Sequence, residues 1–166
     1  MFEIFGNMDS FEEINNAAEG MKNEGDTENL RKLAEENGID EAFVELYLNG
    51  DMEKLCDVAI AAMGKIDIEA AELKPVEIMN DWTEYIKTLC GDNEEFACAV
   101  RNRKKSLVGC IGSILAWSFK TKYDVNKDIV KAAGIKTASV SMGIPGMGTA
   151  KKLIREYYLG KGGASR

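Results

Sequence analysis

The densest run of residues able to do chemistry is Gly143-Ile-Pro-Gly-Met-Gly-Thr-Ala-Lys-Lys-Leu-Ile154. Glycines ahead of a helix N-terminus free backbone amides to meet a phosphate, and Lys151 and Lys152 follow within the first turn. Gly146, Gly148, Lys151 and Lys152 are therefore a candidate phosphate contact. A tight turn that only lets helices pack accounts for the same residues. Arg101, Arg103, Lys104, Lys105, Lys120, Lys122, Lys127, Lys131 and Arg155 extend the set and could form one basic face, which would bind nucleic acid with a steep loss in salt. The competing reading is internal: these cations would neutralise the acidic half of the chain. Trp117, Phe119 and Tyr123 lie near the basic cluster and could stack on bases, although aromatics at helical spacing also serve as core.

That acidic half is pronounced. Residues 1–99 hold 25 Asp and Glu against 7 Lys and Arg, a net of −18; residues 100–166 hold 3 against 14, a net of +11. The overall −7 hides this dipole. Segregated charge steers different partners to different surfaces. Glu35, Glu36, Glu41 and Glu45 form the candidate acidic face, able to imitate phosphates toward a basic groove. Leu30 to Gly50 has the outline of a helical hairpin or helix-turn-helix, but Glu41 and Glu45 on its second helix would repel DNA. The turn at Gly143 to Gly148 also resembles the hairpin of helix-hairpin-helix DNA-binding modules, with a shorter spacing from Gly148 to Leu153 and Ile154 than that motif shows.

Other chemistries are absent from the pattern. The chain has no histidine, which removes His-based triads, general bases and metal ligands. Cys56, Cys90, Cys98 and Cys110 form no C-x-x-C pair and sit in apolar helical patterns, so reduced core thiols are expected rather than a zinc site or disulfides. Adjacent carboxylates along a helix point apart and make no catalytic dyad. No calcium-loop spacing occurs. The expectation is a protein that binds and is not an enzyme, with no cofactor and no metal. Ser106 to Phe119, the most apolar stretch, is too short to cross a bilayer, and Met1-Phe-Glu-Ile-Phe-Gly lacks the features of a secretory signal. A cytoplasmic protein without membrane contact is expected.

The elements that must position these residues read as helices. Ser10-Phe-Glu-Glu13 is a capping box that opens a first helix ending near Gly25. Thr27 and Asp40 cap the next two, with Gly38 and Gly50 as stops. Further helices are expected from Asp51 to about Lys65, Ile68 to Leu73, Pro75 to Gly91, Asn93 to about Arg103, Ser106 onward, Val125 to Gly134, and about Thr149 to Tyr158. Val140, Met142 and Ile144 alternate like a short strand, and a loop fits equally well. Leu107, Ile111, Ile114 and Leu115 make the stripe expected at the centre of the core, with Gly109 and Gly112 admitting a neighbouring helix. The fold class is all-α, a bundle of about eight or nine helices. Residues 1–91 would form an acidic lobe, 92–160 a basic lobe sharing the core, and 161–166 a disordered tail.

The segment Asn93-Glu-Glu-Phe-Ala-Cys-Ala-Val-Arg-Asn-Arg-Lys-Lys-Ser-Leu-Val-Gly-Cys-Ile-Gly-Ser-Ile114 is similar to the central segment of the PcfK-like proteins of Firmicutes conjugative elements. That group looks related to inhibitors of Cas9. The resemblance implies a cytosolic, non-enzymatic protein of a mobile element. The leading expectation is an anti-CRISPR-type protein that binds a Cas9-like effector and blocks its nucleic-acid groove with the acidic face. The alternative is a nucleic-acid-binding accessory protein that uses the basic half.

Overall fold

The structure, a computed structural model, describes residues 4–160. The expected tail lies outside the described residues. Within them the chain forms an all-α bundle of nine helices: α1 (Phe11–Glu24), α2 (Thr27–Glu36), α3 (Glu41–Asn49), α4 (Val58–Leu73), α5 (Ile78–Asp92), α6 (Glu94–Arg101), α7 (Leu107–Lys120), α8 (Lys127–Ala132) and α9 (Met147–Leu159). The short strands β1 (Tyr123–Asp124) and β2 (Ser141–Met142) pair antiparallel on either side of α8. No helix among the described residues is long and apolar enough to cross a membrane.

Local signals set most of the helix starts. Ser10 Oγ accepts from Glu13 N at 3.3 Å, and Glu13 Oε2 reaches one residue past the N-cap to accept from Asp9 N at 2.7 Å, a shifted form of the expected box. Asp26, Asp40, Asp57, Asn93 and Ser106 each cap the following helix through a side-chain oxygen. Asp26, one residue before the expected Thr27, holds the second cap because its carboxylate reaches Asn29 N at 3.1 Å. The stretch after Asp51 differs more. Residues 51–57 are not helical, and α4 runs unbroken from Val58 through the expected gap at Asp67. Asp57 supplies the cap that Asp51 does not, and no glycine or proline after Gly64 breaks the helix before Lys74-Pro75.

Two apolar clusters divide within α4. The first packs Ile14 and Ala18 of α1, Leu30 and Leu33 of α2, and Val44 and Tyr47 of α3 against Leu55, Cys56 and Ala61. The second joins Ala62 and Ile66 of α4 to Trp82, Ile86, Phe96, Val100, Leu107, Ile114, Ile154 and Tyr158. The expected lobe boundary at residue 91 is therefore not where the core divides. Helix α5, counted with the acidic half, buries its apolar side against α6, α7 and α9. Surface charge steps at Asp92 while apolar faces decide the packing.

A buried polar staple links the two clusters. Lys65, 0 % exposed, donates from Nζ to the carbonyls of Val100 (2.9 Å), Asn102 (2.7 Å) and Lys105 (2.6 Å). All three ammonium donors are satisfied, two by carbonyls at the C-terminal end of α6, where orphan carbonyls and the helix dipole favour a cation, and one by the turn before α7. Burial nevertheless pushes the amine down to about 8, against the pull of Glu69. Arg101, 1 % exposed, donates to Asn37 Oδ1 at 2.7 Å and to the Ala61 carbonyl at 3.4 Å. Asn37 Nδ2 in turn donates to Leu33 O at 2.8 Å.

Cys56, Cys90 and Cys110 are buried free thiols, each pushed up to about 12 by burial. Cys98, expected inside, is exposed; it lies on the solvent side of α6, opposite Phe96, Ala97 and Val100. A pH dependence follows. A thiol raised above its ordinary 9.0 stabilises the fold below pH 9, and that contribution is lost as pH rises toward 12. Lys65 acts oppositely: its lowered value makes the fold gain stability between about pH 8 and 10.5. Three thiols oppose one amine, so the urea midpoint, measured under reducing conditions, is expected to fall between pH 9 and 10. A midpoint that rises throughout contradicts the assignment of buried thiols.

Candidate functional site

The four candidate acidic residues sit where α2 ends and α3 begins, and most are engaged within the protein. Glu41 and Glu45 both pair with Arg31, the latter at 2.6 Å. Glu36 accepts from the amides of Ile4 (2.8 Å) and Phe5 (3.0 Å), fastening the N-terminal segment. Glu35 is exposed. As a phosphate-like array the set is thereby weakened. A cleft of about 420 Å³ between α1 and α3 gathers Glu12, Glu19 and Glu53 with Lys22 and Lys54, so its lining carries both signs. Spacing along the sequence could not assemble it, because Glu53 reaches it from the loop before α4.

The basic candidates divide by burial. Arg101 belongs to the interior staple and cannot line an outer surface, a correction to its place in the basic face. The helical period turns it inward with Ala97 and Val100, whereas Arg103 and Lys104 follow the helix end and are exposed. Lys105 Nζ donates to the Tyr157 carbonyl at 2.6 Å and lies 4.8 Å from the centre of the Tyr157 ring, capping α9. Lys151 sits 5.0 Å from the centre of the Tyr85 ring, and Arg155 Nε donates to Tyr85 Oη at 3.3 Å. Lys152 pairs along its own helix with Glu156 at 3.8 Å. The lysines of α8, Lys127 and Lys131, are exposed.

Among the described residues, one ion pair crosses from the basic half to the early carboxylates: Arg103 with Asp9 at 3.7 Å. The other pairs lie within one half or the other. The charge segregation of the sequence thus persists on the surface. Its basic pole is an arm. Between Lys120 and Gly146 the chain leaves the bundle as β1–α8–β2, with five lysines against Asp124 and Asp128. Lys120, Lys122, Lys127, Lys131 and Lys136 are all exposed. Only Val130 and Pro145 are buried in this stretch.

The glycine turn delivers its chain to α9 as expected, two residues earlier than Thr149. Gly146 is the N-cap, and no side chain caps the first amides. Gly143 is pressed against the Ser118 carbonyl, a contact a Cβ would forbid, so close packing fixes the turn at that position. Trp117 is half-buried, Phe119 and Tyr123 are exposed. The outer side of α7 departs from expectation: Leu115, expected in the core, is 56 % exposed, and Phe119 is 75 % exposed. Together with Trp82, Ile78 and Ile144 they line an apolar groove of about 390 Å³ beside Lys122. The signal was present, since α7 is apolar on every side and cannot bury all of them in a single small core. Among the described residues no cluster of side chains is arranged to hold a metal ion.

No family model, no curated protein and no solved structure matches this chain.

Proposed function

We propose that the protein acts by binding, with its basic arm laid along the phosphates of a nucleic acid. The observation that carries this is the single ion pair between the two charge poles, which leaves the arm's five exposed lysines without carboxylate partners among the described residues. The uncapped start of α9 beside Gly146 and Gly148 adds amides suited to a phosphate oxygen. The contact set on this reading is Lys104, Lys120, Lys122, Lys127, Lys131 and Lys151, without Arg101.

Anisotropy titrations with single-stranded and duplex DNA and RNA test it. Binding in the micromolar range is expected at low salt, weakening linearly on logarithmic axes as salt rises. Lys127→Glu with Lys131→Glu should abolish it without lowering the melting temperature, since both side chains lie outside the core. Absence of binding to every one of these ligands at low salt refutes the reading.

A second reading rests on the acidic pole. Glu12, Glu19 and Glu53 share the cleft with Lys22 and Lys54 but have no ion-pair partner among the described residues, and the net −18 of residues 1–99 suits a basic nucleic-acid groove on a protein. With the resemblance of Asn93 to Ile114 to a mobile-element family, this supports inhibition of a Cas9-like effector. Loss of target cleavage by purified Cas9 on adding the protein, reversed by Glu12→Lys with Glu19→Lys, would favour it. Uninhibited cleavage would remove it.

A further inference from the structure

We propose that the outer face of α7 is an interface on which a second copy of this chain docks, the two α7 helices crossing antiparallel about a two-fold axis. The inference rests on the apolar face of α7 and shares only Lys122 with the nucleic-acid reading.

Helix α7 carries no charged residue before Lys120. A helix apolar on all sides is covered on all sides in the state that functions, yet only one side of α7 enters the core. Leu107, Cys110 and Ile114 point inward; Val108, 60 % exposed, joins Leu115 and Phe119 on the outside. Between them Gly112 faces open space. Positions 108, 112, 115 and 119 follow steps of four, three and four, the seam along which two helices interlock. An antiparallel partner in register places residue 108 opposite 119 and residue 112 opposite 115. Leu115 of each copy then fills the gap left by Gly112 of the other, and Val108 meets Phe119.

Charge selects this occupant and its direction. A hollow beside Val108 is lined by Glu69, Glu72 and Leu73, whereas the groove beside Leu115 and Phe119 is lined by Lys122. Glu72 therefore flanks the seam beside Val108, and Lys122 flanks it beside Phe119. Antiparallel pairing sets Lys122 of one copy against Glu72 of the other, and symmetry repeats the contact. Parallel pairing would set lysine against lysine.

Sedimentation velocity over a concentration series, from micromolar to sub-millimolar, provides the test. A reversible dimer is expected. Leu115→Glu should weaken it by at least about 30-fold with an unchanged thermal melt, because that side chain lies outside the core of the single copy. Lys122→Glu should weaken it several-fold, and Glu72→Lys added to Lys122→Glu should restore it. A chain that remains monomeric throughout, a dimer indifferent to Leu115→Glu, or a charge swap that fails to recover association each overturns the proposal.

Discussion

Arg101→Ala is expected to lower the free energy of unfolding by about 3–5 kcal/mol, the largest effect of any substitution in the basic run from Arg101 to Lys105. Two costs combine. The side chain is among the largest that are fully buried, so truncation opens a cavity between α4 and α6. It also strands Asn37 Oδ1, which the guanidinium holds at 2.7 Å in an interior where an unmet acceptor is expensive. Arg101→Met refills most of the volume and removes a guanidinium whose Nε has no partner, so it should recover part of the loss. Arg103→Ala should cost less than about 1 kcal/mol, since its pair with Asp9 is exposed. Urea unfolding of the three variants checks the order. Arg101→Met should leave nucleic-acid binding unchanged, because the side chain it replaces is buried. Equal stability losses at positions 101 and 103 would contradict the buried placement.

Gly64→Ala is expected to cost about 3 kcal/mol or more. Gly64 faces Gly38, which ends the α2 turn at φ +68, and the two backbones touch so closely that a Cβ on Gly64 would overlap the carbonyl oxygens of Asn37 and Gly38. Backbone cannot rotate away as a side chain can. The turn must lift from α4, and lifting it pulls Asn37 from Arg101, so overpacking and loss of a charged hydrogen bond occur together. Gly20→Ala and Gly112→Ala serve as controls, because added methyl groups there meet nothing in the single copy; both should be neutral or slightly stabilising through helix propensity. A denaturant midpoint for Gly64→Ala within error of the native protein would show that the crossing is looser than this.

Caps were the most legible part of the chain. Ser10, Asp40 and Ser106 each announce a helix by a short side-chain oxygen placed before an apolar period, and each caps in the structure. These signals act over four residues and need nothing distant. The failures share one cause. Asp51 resembles Asp57 locally, and the choice between them depends on Leu55 and Cys56 being drawn into the first cluster, with Asn15 of α1 bonding both the amide and the carbonyl of Cys56. Leu115 resembles Ile111 in type and spacing, and only the position of α5 determines which of them is covered. Lys65 gave no warning, since its partners are carbonyls more than thirty residues away.

For the candidate surfaces the same division holds. The opposed charges, the absence of histidine, the apolar make-up of α7 and the helical class were written in residue types alone, because they depend on composition and short periods. Three-dimensional packing decided which charges reach solvent. It drew Arg101 and Lys65 inward to satisfy Asn37 and the end of α6, turned Glu41 and Glu45 onto Arg31, and left the lysines of the 120–146 arm exposed. Contacts between distant segments set burial, and burial determines whether a charge serves the fold or is offered to a partner.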